Sequence, residues 1–136
     1  MIQLIVGTKG SGKTKRLIEL VNAALDATDG SVVCVEKGSK LIHEIKYQAR
    51  LIDTEEYAVG DAETLYGFIA GIAASNHDVT HLFIDSALKI CNNDLTAFTE
   101  FVGKTEKLAA AQNISVVITS SIEVEKVPAE ICKYIG

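Results

Sequence analysis

The stretch VGTKGSGKTK, from Val6 to Lys15, decides how the rest of this chain is interpreted. It follows directly on the apolar run IQLIV at 2–6 and leads into a helical pattern of apolar residues. It matches G-x-x-x-x-G-K-[ST] at each fixed position, namely Gly7, Gly12, Lys13 and Thr14. A chance match in a chain of this length has odds of about one in two hundred. The pattern, placed between an apolar run and a helix, is therefore a specific signal.

The residue types in this stretch suit the binding of a polyanion. Glycines let the backbone turn tightly and present successive N–H groups, and the following helix points the positive end of its dipole at the same place. The Lys13 ammonium can reach the terminal phosphates of a nucleotide, and the Thr14 hydroxyl can join the ligands of a magnesium ion. The predicted phosphate-binding residues are Gly7, Thr8, Lys9, Gly10, Ser11, Gly12, Lys13 and Thr14.

Short apolar runs rich in β-branched residues alternate with helical patterns along the chain. The runs predict buried strands at 2–6, 31–36, 81–85 and 114–120. We therefore predict an α/β fold, a three-layer α/β/α sandwich with a mainly parallel sheet of about five strands. No linker, repeat or low-complexity tract interrupts the chain, so residues 1–136 are predicted to form a single domain.

Helical spacing of apolar residues recurs between these strands. The predicted helices run from Lys13 to about Ala27, from Ser39 to about Arg50, from Asp61 onward, and from Asn93 or Asp94 to Asn113. In the second of them, Leu41, Ile42 and Ile45 are expected to face inward. The pattern leaves open whether 51–59 is a short strand or a loop, and whether 128–135 is a final helix or an edge piece.

Two motifs make the chain resemble the P-loop NTPases. The first is the loop at 7–14, which is similar to the Walker A signature of that superfamily. The second is HLFIDS at 81–86, which resembles the Walker B strand, an apolar run that ends in an acid. In the family that acid, here Asp85, holds magnesium directly or through water. The resemblance implies a nucleoside triphosphate, ATP or another NTP, bound with Mg²⁺, and it implies that Thr14 and Asp85 hold the metal.

The chain looks most similar to RecA-like and thymidine-kinase-like members of the ASCE branch, but it departs from them after Walker B. Those proteins typically carry a glutamate at or near this point, which acts as a general base or positions the attacking group. Here Ser86 follows Asp85. Because a serine hydroxyl does not take up a proton as a carboxylate does, we expect slow or partner-dependent hydrolysis.

Other residues are candidates for the missing role. Glu36 ends the second predicted strand, where kinase-like P-loop proteins often place an acid, so Lys13 and Glu36 are the predicted catalytic residues. Glu123, beyond the fourth strand, is a weaker alternative, and a solvated Glu36 without a catalytic role is also compatible with the sequence. Polar residues end the fourth strand at 119–121, where RecA-like proteins sense the γ-phosphate.

Composition restricts the partners. Acidic residues outnumber Lys and Arg by 18 to 13, and the net charge is −5, so nucleic acid is not expected as the main partner. No apolar run approaches the length needed to span a bilayer, and the N-terminal run lacks the basic flank of a signal peptide. Three cysteines without close spacing favour reduced thiols and a cytoplasmic protein.

These observations predict Mg²⁺-dependent binding of a nucleoside triphosphate, most simply ATP, with weak hydrolysis at most. Two alternatives stay open. One is a small-molecule or nucleoside phosphotransferase with Glu36 as base, and the other is a non-hydrolysing adaptor module whose affinity for a protein partner depends on nucleotide. The choice between ATP and GTP, and the presence of a protein partner or a homo-oligomer, are not decided by the sequence.

Overall fold

The computed structural model, which describes residues 1–136, contains five strands and four helices. The strands are β1 (Ile2–Gly7), β2 (Ser31–Glu36), β3 (Arg50–Asp53), β4 (Val79–Ile84) and β5 (Ser115–Ser121). The helices are α1 (Lys13–Ala27), α2 (Ala62–Ser75), α3 (Ala87–Ile90) and α4 (Leu95–Gln112). Short 3₁₀ turns occupy Thr54–Tyr57, Val124–Lys126 and Ala129–Tyr134.

The strands form one all-parallel sheet in the order β1-β5-β4-β2-β3. Apolar side chains cover both faces of this sheet. On one face, α1 contributes Leu17 and Val21 to a core that includes Phe83 of β4. On the other face, α2 and α4 contribute Ile69 and Phe98, among others, to a second core. The predicted three-layer α/β/α architecture is confirmed, and the sheet is parallel throughout.

Five helix ends, in three helices, lie where the sequence predicts them. Helix α1 runs from Lys13 to Ala27. Helix α2 begins after Asp61, whose carboxylate accepts a hydrogen bond from Thr64 N at 2.8 Å in a capping box. Helix α4 begins after Asp94 and ends at Asn113, whose φ of 55° is the left-handed conformation that often closes a helix. None of the helices combines the length and apolar character that crossing a membrane would require.

The predicted helix from Ser39 to about Arg50 is wrong. This segment is a series of turns in which Leu41 and Ile45 are buried, whereas Ile42 is 58% exposed. One α-type hydrogen bond, from Ile45 N to Leu41 O, forms there and is not repeated along the segment. The N–H groups of Lys40 and Leu41, at the start of the segment, donate to the carboxylate of Glu36, and the chain then runs back to the start of β3, which pairs in parallel with β2.

The sequence left two segments undecided and did not predict one helix. The segment 51–59 contains most of β3, followed by a 3₁₀ turn, so both a strand and a loop are present. The tail forms a 3₁₀ turn, and Ile135 then makes a parallel bridge with Leu4 at the outer edge of β1. Helix α3 was not predicted; it follows Ser86, which has a left-handed φ of 56°.

The turns at 39–49 generate a stability prediction. Leu41→Ala should lower the free energy of unfolding by about 2–4 kcal/mol, because the side chain is 2% exposed and its removal leaves a cavity beside α1. Ile42→Ala should cost less than about 1 kcal/mol, because that side chain is already in water. Urea denaturation of both variants measures the difference, and equal losses would contradict the exposed position of Ile42 in these turns.

Candidate functional site

The loop between β1 and α1 is open and lacks a side-chain cap. Gly12 stands at the N-cap of α1 with a φ of 88°, a left-handed conformation that glycine adopts without strain, and no side chain accepts a hydrogen bond from the first turn. Gly7 has a φ of 157°, a backbone conformation that residues with a side chain rarely adopt, so this position also favours glycine. The first-turn N–H groups of α1 are therefore available to an anion.

A cleft of about 630 Å³ opens beside this loop. Its walls come from residues after four strands: the 7–14 loop after β1, Lys40 after β2, the segment 86–93 after β4, and Ser121 at the end of β5. The cationic residues that line it are Lys9, Lys13, Lys15, Lys40 and Lys89. Only one lining residue is hydrophobic, and none carries a carboxylate. In a chain of net charge −5, this cleft is a local concentration of positive charge.

Lys13, the predicted phosphate ligand, remains free of acidic partners. Its Nζ atom donates to the backbone carbonyl of Thr8 within the same loop, at 2.9 Å. The two ion pairs of the structure lie elsewhere, between Lys46 and Asp26 and between Lys126 and Glu123. The Lys13 ammonium therefore stays at the loop and is not neutralised by a carboxylate.

Thr14 and Asp85, the predicted metal ligands, are brought together although they are far apart in the chain. Thr14 Oγ1 lies 3.4 Å from Asp85 Oδ1 and 3.5 Å from Oδ2. Asp85 is 7% exposed and lies directly after β4. No group of three or more His, Cys, Asp or Glu side chains converges on a metal site. A hydroxyl beside one carboxylate is nonetheless a donor set that suits Mg²⁺, which usually completes its shell with phosphate oxygens and water.

Asp85 is oriented from β5. Thr119 Oγ1 donates to Asp85 Oδ1 at 2.6 Å and accepts a hydrogen bond from Ser86 N at 2.8 Å. Ser120 Oγ accepts from Leu88 N at 3.2 Å. At the end of β5, Thr119 and Ser120 are thus buried and hold the segment after β4. The next residue, Ser121, is exposed and lines the cleft.

Glu36, the predicted base, lies near the cleft but does not line it. It is 2% exposed, and its two carboxylate oxygens accept hydrogen bonds from Lys40 N and Leu41 N, both at 3.1 Å. Burial raises the pKa of this carboxyl above its ordinary value, and the nearby negative charges of Asp85 and Asp53 raise it further, although the two backbone hydrogen bonds lower it. Glu123 is exposed and pairs with Lys126 at 3.7 Å.

Lys40 and Lys89 are among the cleft residues that were not sequence candidates. They follow the ends of β2 and β4 by four and five residues. Ligand sites in open parallel sheets gather at the carboxyl ends of the strands, and applying that rule to basic residues after each strand would have found both.

No protein-family model matches this chain, and a search of curated proteins finds no match either. The structure establishes a parallel α/β fold. The interpretation of the cleft as a functional site depends on the two sequence motifs and on the contacts among Thr14, Asp85 and Thr119.

The hydrogen bonds of Thr119 generate a second prediction. Thr119→Val removes the hydroxyl without changing the shape, so the Asp85 carboxylate loses a donor and Ser86 N loses its acceptor. We expect the free energy of unfolding to fall by about 1–3 kcal/mol. Thr119→Ser keeps the hydroxyl and should lose less, as measured by urea denaturation. A valine variant as stable as the serine variant would contradict the role given to these hydrogen bonds.

Proposed function

We propose that this chain is a P-loop nucleotide-binding protein that holds a nucleoside triphosphate, most simply ATP, together with Mg²⁺. The observation that carries the proposal is the lysine-lined cleft at the uncapped start of α1, which has no carboxylate in its lining. A site of this kind attracts a polyanion, because ammonium groups and free amides converge on one volume and no acid within it competes.

Each part of the site has a task in this proposal. The backbone N–H groups of 7–14 hold the phosphates, and the Lys13 ammonium neutralises the outer phosphate oxygens. Thr14 and Asp85 would hold the metal, and Thr119 keeps the Asp85 carboxylate turned toward Thr14. When bound, Mg²⁺ neutralises negative charge on the phosphate oxygens that it contacts.

The contacts around the cleft favour binding over rapid chemistry. Ser86 occupies the position after Asp85, and the acids nearest the cleft, Asp85 and Glu36, are buried and hydrogen bonded. A phosphotransferase would use Glu36 to accept a proton, yet both oxygens of that carboxylate already accept backbone N–H groups. These observations support a nucleotide-binding module with slow intrinsic turnover, and they are equally compatible with an adaptor that does not hydrolyse.

The proposal predicts that Lys13→Ala weakens nucleotide binding at least about tenfold, because a charge-assisted contact to phosphate is lost. Lys107→Ala is the matched control, since Lys107 is an exposed lysine of α4 that does not line the cleft. The measurement is a fluorescence titration of the purified chain with ATP and GTP analogues in the presence of Mg²⁺. Equal affinity in the wild type and Lys13→Ala would overturn the proposal.

The same titration tests the metal site. Asp85→Asn should abolish the strengthening of binding by Mg²⁺, because the amide still accepts a hydrogen bond from Thr119 but carries no charge for the cation. Asp29→Asn, an exposed position away from the cleft, should behave as the wild type. A Mg²⁺ dependence that survives Asp85→Asn would contradict the assignment of the metal ligands.

Turnover by the isolated chain is expected to be slow. Phosphate release from ATP should stay below about one per second, which is the lower end of the usual enzyme range. A coupled phosphate-release assay with the wild type, and with Lys13→Ala as background, makes the measurement. A faster rate that disappears in Lys13→Ala would show that the chain contains a catalytic group that we have not identified.

A further inference from the structure

The turn after β2 is held by a buried carboxylate. Glu36, the last residue of β2, accepts hydrogen bonds from Lys40 N and Leu41 N at 3.1 Å each. A carboxylate this deeply buried is stable only with such partners, and hydrogen bonds to a charged group are stronger than neutral ones. The backbone at Lys40 is therefore tied directly to the end of the sheet.

Two further contacts fix the same turn from its other sides. The Leu41 side chain is 2% exposed and packs in the core on the α1 face of the sheet. Gly38 N donates to Asp53 Oδ1, at the end of β3, at 2.8 Å. The main chain on both sides of Lys40 is thus constrained, while the Lys40 side chain is exposed and lines the cleft.

Lys40 and Lys13 approach the cleft from different parts of the sheet. Lys13 follows β1, whereas Lys40 follows β2, and β5 and β4 lie between these strands. The structure contains no carboxylate in the lining that would offset these like charges. An anion whose phosphates lie in the 7–14 loop, beside Lys13, therefore has Lys40 as a further cation bordering the same cleft.

We propose that Lys40 contacts the terminal phosphate of the bound nucleotide and makes the site select triphosphates over diphosphates, and that Glu36 is the residue that positions it. This inference rests on the proposed function and adds to it a discrimination between ligands that share the same base and sugar. Glu36 then acts through the backbone of the turn and not as a base.

The test compares the dissociation constants of ATP and ADP analogues for the wild type and Lys40→Ala in Mg²⁺ buffer. Lys40→Ala should weaken ATP binding about five- to tenfold and ADP binding less than about twofold, since solvent screening limits an exposed lysine. Lys37→Ala is the matched control, because Lys37 is an exposed lysine of the same turn that lines a different hollow, beside Glu55. Lys40→Arg keeps the cation and should retain most of the preference for ATP.

Glu36→Gln tests the positioning role. It should reduce the ATP preference as Lys40→Ala does, and the double variant should lose no more than either single variant, because both changes remove one contact. Should Glu36→Gln fail to fold, the Lys40→Ala and Lys40→Arg pair still decides the contact to the terminal phosphate.

Several outcomes would overturn the inference. The role of Lys40 would be excluded by any of three results. Lys40→Ala could weaken the binding of ATP and ADP equally, it could weaken neither, or Lys37→Ala could show the same selective loss of ATP affinity. A folded Glu36→Gln variant with an unchanged ATP preference but slower turnover would make Glu36 a base. The Lys13→Ala variant distinguishes failure of this inference from failure of the proposed function. If Lys13→Ala binds both nucleotides as tightly as the wild type, nucleotide binding at the loop is overturned.

Discussion

Asp85 connects the parts of the molecule on which the candidate site depends. Its backbone N–H donates to Val35 O of β2 at 2.9 Å, and its side chain accepts from Thr119 Oγ1 of β5 at 2.6 Å. Thr14 Oγ1, in the first turn of α1, lies 3.4 Å away. Because a buried charge requires hydrogen bonds, this one residue holds the ends of β4, β2 and β5 in a common frame with the start of α1.

Charge in this protein is distributed unevenly, and the distribution follows from burial. The chain as a whole is acidic, yet the cleft is lined by five lysines and no acid. The two acids closest to it, Asp85 and Glu36, are buried and accept hydrogen bonds from hydroxyl and backbone N–H groups. They stabilise the walls of the cleft without lining it, so the charged side chains that line the cleft are all cationic.

Local patterns in the sequence were sufficient for most of the fold. The strand 31–36, the bounds of α1, the cap at Asp61 and the stop at Asn113 each depend on residues within a turn or two, and each was predicted correctly. The segment 39–50 was not, because buried residues spaced four apart are compatible with a helix and with successive turns alike. The local contacts of the segment, including the bonds from Lys40 N and Leu41 N to Glu36, do not separate the two; the pairing of β3 in parallel beside β2 is a constraint of the whole sheet and not of the local pattern.

The same division applies to the site. The sequence by itself predicted the candidate phosphate-binding loop at 7–14, because its glycines, lysine and threonine lie within one continuous stretch. Only the tertiary structure decided that Thr119 orients Asp85, that Glu36 holds a turn, and that Lys40 shares a cleft with Lys13. These groups come from separate strands, and the order of strands in a parallel sheet, set by packing of the whole chain, determines which strand ends become neighbours.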